Sequence, residues 1–464
     1  MSGAVPVLLH GRKADTPRER VTSSDALGAI VATGPWILTI LALAAISLTT
    51  REDLELDTLA AFRTIVVYAF ALSLVATAPI TIISIRMTAD LLHLGRTELL
   101  LGCFLASLLL GALLSAASFA VLALVSSVSP AGLAVVICSS VVGFVWIALA
   151  LSTALRDYRG ILMAFAGGLA VSAFVTVGVA QAGGSYVQMA YGFAVGLFVT
   201  MLLLCYRVLT EFRHPMRNIL APLQAFGHFG RTYKMLAIGA TFVTAGVWVD
   251  KWIIWSGPEG EQALSGLVHA PTYDGAMFIA YLSIVPCLVL FVSILETSFT
   301  RNYRRYYLAI SAHATLTTIE RNARDLAVQT HRALLRTGRA QFIICLIFVM
   351  AAPNIVELAG LHYEDTGLLR VGAIGASFHF LFLASLSFLL FFERHTEFCL
   401  LGACQFTLNS IFTIATLLAG PDYYGLGYLA AAVISSLIAF AVVDRSIGQL
   451  TYFTFSRALG AARM

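Results

Sequence analysis

An aspartate and a lysine stand side by side, Asp250–Lys251, in a run that is otherwise apolar and carries Trp248, Trp252 and Trp255. Ionisable groups within such a run are costly, and those that persist mark pathways, relays or gates. Adjacent side chains point about 100° apart on a helix, so the two need not pair with each other. Two readings stand: a transport or gating pair, or an anchor in which the tryptophans form an aromatic belt at the outer membrane interface. Gly34–Pro35–Trp36 interrupts another apolar run. A proline there removes a helix hydrogen bond and exposes backbone carbonyls, which either line a cavity or fix a packing kink. Pro79, Pro286 and Pro353 are expected to break other runs likewise. Tyr68, Tyr281, His379, Gln405 and Asn409 complete the mid-run polar set. Aromatic faces and amides suit a hydroxyl-rich ligand, although such groups also serve as hydrogen bonds between helices. Arg370, Glu296 and Glu357 fall near run ends, where snorkelling explains them.

No catalytic constellation accompanies these residues. The chain has no G-x-x-x-x-G-K-[ST] loop, no G-x-S-x-G and no H-E-x-x-H. Its seven cysteines form no C-x-x-C and read as small packing residues. The expectation is a non-enzyme with no catalytic residues, no metal and no cofactor.

The elements that position the polar set must be membrane helices. Of 464 residues, 59% are hydrophobic and 12% charged, about half the charge of a soluble domain. Twelve stretches approach the ~20 residues that cross a bilayer: 26–48, 64–85, 99–124, 131–154, 160–182, 186–209, 235–255, 277–295, 341–359, 368–392, 398–418 and 425–443. Backbone amides in lipid must be satisfied within each segment, so these are helices; the short alternating strands of a barrel are missing. Residues 1–25 are polar and basic and precede a full-length span, so the first run reads as retained rather than as a cleaved signal.

Alternating the twelve spans from a cytoplasmic N-terminus puts 24 of the 29 basic residues inside and three, Arg51, Arg63 and Lys251, outside; Arg207 and Arg370 sit at span edges. That asymmetry puts both termini in the cytoplasm. The basic side meets anionic lipid, so the net charge of +4 requires no nucleic acid. The resulting division is a cytoplasmic segment 1–25, a six-helix lobe 26–209, a linker 210–234, a second lobe 235–443 and a tail 444–464. Within the second lobe, 296–340 is a cytoplasmic insertion. There Ala312, Leu316, Ile319, Ala323, Leu326 and Leu334 recur at helical spacing. They predict an amphipathic helix lying against the inner leaflet, either with Arg321, Arg324, Arg332 and Arg336 as a surface for docking a cytoplasmic partner or as a solvated, lipid-facing connector.

Several stretches together resemble one family, the Pel exopolysaccharide inner-membrane transporters (PelG) of the MATE-like multidrug/oligosaccharidyl-lipid/polysaccharide (MOP) flippase superfamily. They are "GPWILTI" (34–40), "GVWVDKWIIW" (246–255), "YDGAMFIAYLSIVPCLVLFV" (273–292), "ETSFTRNYRRYY" (296–307), "FHFLFLASLSFLLFFERH" (378–395) and "YYGLGYLAAAV" (423–433). The resemblance implies an all-α membrane protein with two six-helix lobes around a central cavity, in a bacterial inner membrane. It further implies export of an amino-sugar polymer for biofilm matrix. The implied partners are a cytosolic glycosyltransferase and small membrane subunits of the same export system. Two other function classes compete: an ion-coupled exporter or lipid-linked oligosaccharide flippase, and a non-transporting scaffold of a polysaccharide synthase. Spans one to six hold no acidic residue well inside the bilayer, which disfavours cation antiport.

Overall fold

The computed structural model describes residues 37–50, 54–125, 129–154, 157–211 and 220–462. Gly34, Pro35 and Trp36 therefore lie outside the described residues. Among the described residues, eleven helical segments are long and apolar enough to cross a membrane, and they fall on eleven of the twelve apolar stretches. The first stretch is represented by α1 (Ile37–Thr49). Then come α2 (Leu56–His93), α3 (Leu100–Val125), α4 (Pro130–Ala154), α5 (Tyr158–Gln181), α6 (Tyr186–Glu211), the short α7 (Leu220–Thr232) and α8 (Lys234–Trp255). A two-stranded hairpin, β1 (Glu261–Gln262) and β2 (Val268–His269), leads to α9 (Pro271–Leu282), α10 (Val285–Ile294), a π-helical turn over Leu295–Phe299 and α11 (Thr300–Ser311). The chain ends in α12 (Leu316–Ala359), α13 (Thr366–Phe391), α14 (His395–Ala419), α15 (Leu426–Gly448) and α16 (Leu450–Ala462).

The described residues form two compact units. One comprises 37–244 with the hairpin segment 260–269; the other comprises 245–259 with 270–462. In the first, α5 and α6 meet through glycines. A Cβ on Gly196 would lie 2.2 Å from the Ser172 backbone nitrogen, and one on Gly168 would lie 2.7 Å from the Gly196 carbonyl. With apolar attraction between helices cancelled by lipid, such close backbone approach is what drives association; Ser172 adds a hydrogen bond to the Phe193 carbonyl at 2.7 Å. The hairpin belongs to this unit, where the Tyr68 and Tyr186 hydroxyls donate to the carbonyls of Val268 (2.7 Å) and Leu264 (3.2 Å). In the second unit α13 is the central helix, packed against α9, α12 and α15.

Three features differ from the sequence reading. The helices run well past the apolar stretches: α2 has 38 residues, the α9–α11 run 41 and α12 44, the last about 66 Å long. The amphipathic stretch is therefore not a separate helix on the leaflet. It is split by a turn, with His313 at φ 52° and Thr315 capping α12, and its C-terminal part continues without a break into the ninth span. Ile319, Ala323, Leu326 and Leu334 are buried, as are Tyr303 and Tyr306 of α11. Those buried residues are covered within the protein, where α12 packs against α11, α13 and α16, while Ala312 and Leu316 stay exposed. Finally, Pro79 and Pro353 lie inside continuous helices, because helices in protein and lipid tolerate one missing hydrogen bond. Pro286 does sit at a break, in the first turn of α10, where its missing N–H is no loss.

Candidate functional site

Asp250 and Lys251 occupy the C-terminal part of α8, within the second unit. Asp250 is fully buried and Lys251 is 7% exposed, so neither snorkels to a surface. The lysine's four-carbon stem folds its ammonium back over the preceding turn, which closes the angular gap between adjacent residues. Nζ lies 3.3 Å from Asp250 Oδ2 and 3.4 Å from Oδ1, and donates to the Val247 carbonyl at 3.1 Å. The same nitrogen lies 5.0 Å from the Tyr281 ring centre and 5.8 Å from that of Trp248, within cation–π range. Tyr273 of α9 donates its hydroxyl to Asp250 Oδ2 at 2.9 Å. A buried ion pair recovers its desolvation cost when further hydrogen bonds and ring faces complete both charges. Here Tyr273, Val247, Tyr281 and Trp248 do so.

One turn further along α8, Trp255 is buried and donates its indole N–H to both oxygens of Asp274, at 2.9 and 3.0 Å. Asp274 also accepts from the Ala270 backbone N–H at 3.1 Å, and a carboxylate in the first turn of α9 suits the positive end of that helix. Trp255 thus ties α8 to α9 and does not belong to an interfacial belt; Trp252 is half-buried.

Below Lys251 lies an aromatic group. Tyr281, His379 and Tyr428 come from α9, α13 and α15, with ring centres 5.8–6.1 Å apart. His379 is 1% exposed, and neither ring nitrogen has a hydrogen-bond partner. Gly375, one turn before His379, makes room for Tyr428: a Cβ there would lie 2.6 Å from the Tyr428 ring. From α14, Asn409 donates to the Gly246 carbonyl at 3.0 Å and accepts from Thr413 at 3.3 Å. Gln405 is fully buried with both amide atoms unpartnered.

The structure thus brings together Trp248, Asp250, Lys251, Tyr281 and His379, with Gln405 and Asn409 on the adjoining α14. Tyr68 is not among them; it belongs to the first unit and holds the hairpin. Arg321, Arg324, Arg332 and Arg336 are exposed on α12. Sequence reasoning missed Tyr273, Asp274, Tyr428 and Gly375. The first two precede the apolar run at 277, although α9 already begins at Pro271.

The first unit carries polar features of its own. A recess there is lined by the hydroxyl residues Ser73, Thr77, Ser115, Ser118, Ser139 and Ser140. At the junction of α7 and α8, Tyr233 donates to Asp90 at 2.8 Å with the Arg86 guanidinium 5.4 Å from its ring centre. Burial first, then the bond to Asp90, pushes the Tyr233 phenol up to about 12. At the start of α5, Asp157 accepts from the Gly160 N–H at 3.1 Å and from Arg207 at 2.7 and 3.0 Å. The bidentate Arg207 contact holds the Asp157 carboxyl below its ordinary range.

The model of the PelG exopolysaccharide exporter (EPS-E) family matches residues 20–455. No curated protein sequence matches the chain. Among solved structures, a MATE transporter in complex with MaL6 is similar at TM-score 0.63 and 14% identity, covering 97% of this chain and 100% of that one. An outward-facing multidrug-resistance MATE transporter of the MOP superfamily is similar at TM-score 0.62 and 14% identity, with coverage of 97% and 99%. A MOP superfamily transporter from Pyrococcus furiosus gives TM-score 0.60 at 14% identity, with coverage of 97% and 99%. These likenesses place the fold among the MATE-like transporters.

Proposed function

This chain belongs to the PelG exopolysaccharide exporter family, and we propose that it exports a Pel-type amino-sugar polymer across a bacterial inner membrane for biofilm matrix. The single observation that carries the reading is the family match over residues 20–455; the MATE-like transporter fold supplies a framework for translocation rather than catalysis. Both termini lie in the cytoplasm on this reading, as the asymmetry of the basic residues demands. A cytosolic glycosyltransferase and small membrane subunits would deliver the growing chain.

Within this scheme the Asp250–Lys251 pair acts as a gate. Opening the pair from Tyr273 and Tyr281 exposes one charge of each sign, a pattern that suits a polymer bearing both hydroxyls and amino or acetamido groups. The aromatic face of Tyr281 and the amides of Gln405 and Asn409 extend that polar lining, and Trp36 and Tyr68 remain proposed path residues.

The test is deletion of the gene in its host, with secreted amino-sugar polymer, intracellular sugar nucleotides and lipid-linked sugars measured together. Loss of polymer, restored by the wild-type gene without build-up of lipid-linked sugars, supports export of the free polymer. Accumulated lipid-linked oligosaccharide would assign a flippase instead, and unchanged polymer would overturn the proposal.

A further inference from the structure

We propose that Arg332, Arg336 and Arg339 of α12 form a binding stripe for the headgroups of anionic phospholipids. The three recur at spacings of four and three, so they share one face of the helix, and all three side chains are exposed with Leu335 among them. The same face continues into Phe342, Ile343, Leu346 and Met350, which the protein leaves uncovered, Met350 at 74% exposure. Large apolar side chains without protein cover on a membrane helix face hydrocarbon. The change from Ile343 to Arg339 therefore marks the edge of the hydrocarbon layer on that face.

The neighbouring helical run fixes the same level independently. Gln329 donates to the Ser298 hydroxyl at 2.7 Å and Asn322 to the Arg305 carbonyl at 3.4 Å. These two bonds set the antiparallel register and put Leu295, the last residue before Glu296, level with Arg332. The apolar run of that helix ends at Leu295. Both helices thus leave the hydrocarbon within the eight-residue stretch of the stripe, about 10 Å of rise, which spans a headgroup layer of about 5–8 Å.

Among the described residues, no carboxylate pairs with these guanidiniums. The ion pairs of α12 are Arg324–Glu320 at 3.9 Å and His331–Asp444 at 2.9 Å; among the described residues, Arg332, Arg336 and Arg339 take part in none. A guanidinium fork matches the two oxygens of a phosphodiester, and the acyl chains of the same lipid would lie along Ile343 and Leu346. Arg321 and Arg324 belong to a different environment. They stand about 27 and 22 Å further along the helix than Arg339, beyond a screening length of about 8 Å. The four arginines grouped by sequence thus divide, and Arg332 and Arg336 go to lipid with Arg339.

The full chain, purified and exchanged into detergent containing phosphatidylglycerol or phosphatidylcholine, tests this by native mass spectrometry of retained lipid. The wild type should retain phosphatidylglycerol in preference to phosphatidylcholine. Each arginine near the surface contributes about fivefold, so R332Q/R336Q/R339Q should lower phosphatidylglycerol retention at least tenfold, and R321Q/R324Q should leave it at the wild-type level. If the triple variant fails to assemble, R336Q alone should show a loss of about fivefold. Added inorganic phosphate should not displace the lipid; displacement would assign a free-anion site and overturn the proposal. Unchanged retention in the R332Q/R336Q/R339Q or R336Q protein, or equal loss in R321Q/R324Q, would overturn it as well.

Discussion

The Tyr273 hydroxyl reaches Asp250 Oδ2 at 2.9 Å, so the carboxylate of the buried pair is held from α9 as well as by its own lysine. Removing that donor leaves Asp250 with the ammonium alone. A hydrogen bond to a charged group contributes about 1.5–3 kcal/mol, and Tyr273→Phe should lower stability by that amount. Thermal unfolding of the purified protein checks this, and an unchanged midpoint would mean that Asp250 does not depend on Tyr273.

Breaking the pair from one side should cost more than removing it from both. Asp250→Ala leaves a buried ammonium unpaired, with an expected loss of about 3–5 kcal/mol. Adding Lys251→Met to that variant should recover part of the loss, because the stem keeps its packing and the charge is gone. A double-mutant cycle on the unfolding midpoint measures the recovery; strict additivity would contradict a direct pairing.

In the first unit, space rather than charge decides. A Cβ on Gly196 would lie 2.2 Å from the Ser172 nitrogen and 2.3 Å from the Gly168 carbonyl, whereas one on Gly178, on the same pair of helices, meets nothing within 4 Å. Gly196→Ala should destabilise by about 1–3 kcal/mol, and Gly178→Ala should be neutral or stabilise by up to about 1 kcal/mol. Comparing the two unfolding midpoints tests whether α5 and α6 meet as described.

Asp157 gives a pH dependence with a defined sign. Arg207 depresses its folded pKa, so its contribution to stability is present above the unfolded value of about 3.9 and is lost as pH falls through the lower folded value. The stability advantage of the wild type over Asp157→Asn should therefore be constant at neutral pH and shrink below about pH 4. Unfolding midpoints of both proteins between neutral and acid pH provide the measurement, and an advantage that grew on acidification would reverse the assignment.

The spans were legible because a bilayer demands them: a stretch such as 368–392 has the length and apolar character that force a helix, and α13 is there. Helix ends were not legible. Residues 300–311 and 316–340 are polar enough to leave the membrane, and it is packing within the protein that holds them: Tyr303 lies against Phe391 of α13, Tyr306 donates to Thr454 of α16, and Ile319 and Leu326 are buried. The same reason explains the site. Asp250 and Lys251 stood out as charges in an apolar run, but their closure depends on Tyr273 and Tyr281, contributed by a helix whose approach no local spacing reveals. Gly375 carried no signal at all until Tyr428 lay against it.

The decisive measurement is secreted amino-sugar polymer from a deletion host supplied with the wild type, Asp250→Ala, Lys251→Ala or the double variant, at matched levels of protein in the membrane. A gate built on the buried pair predicts that each single variant loses most of the secretion that the wild type restores. Secretion at the wild-type level from both single variants would contradict it.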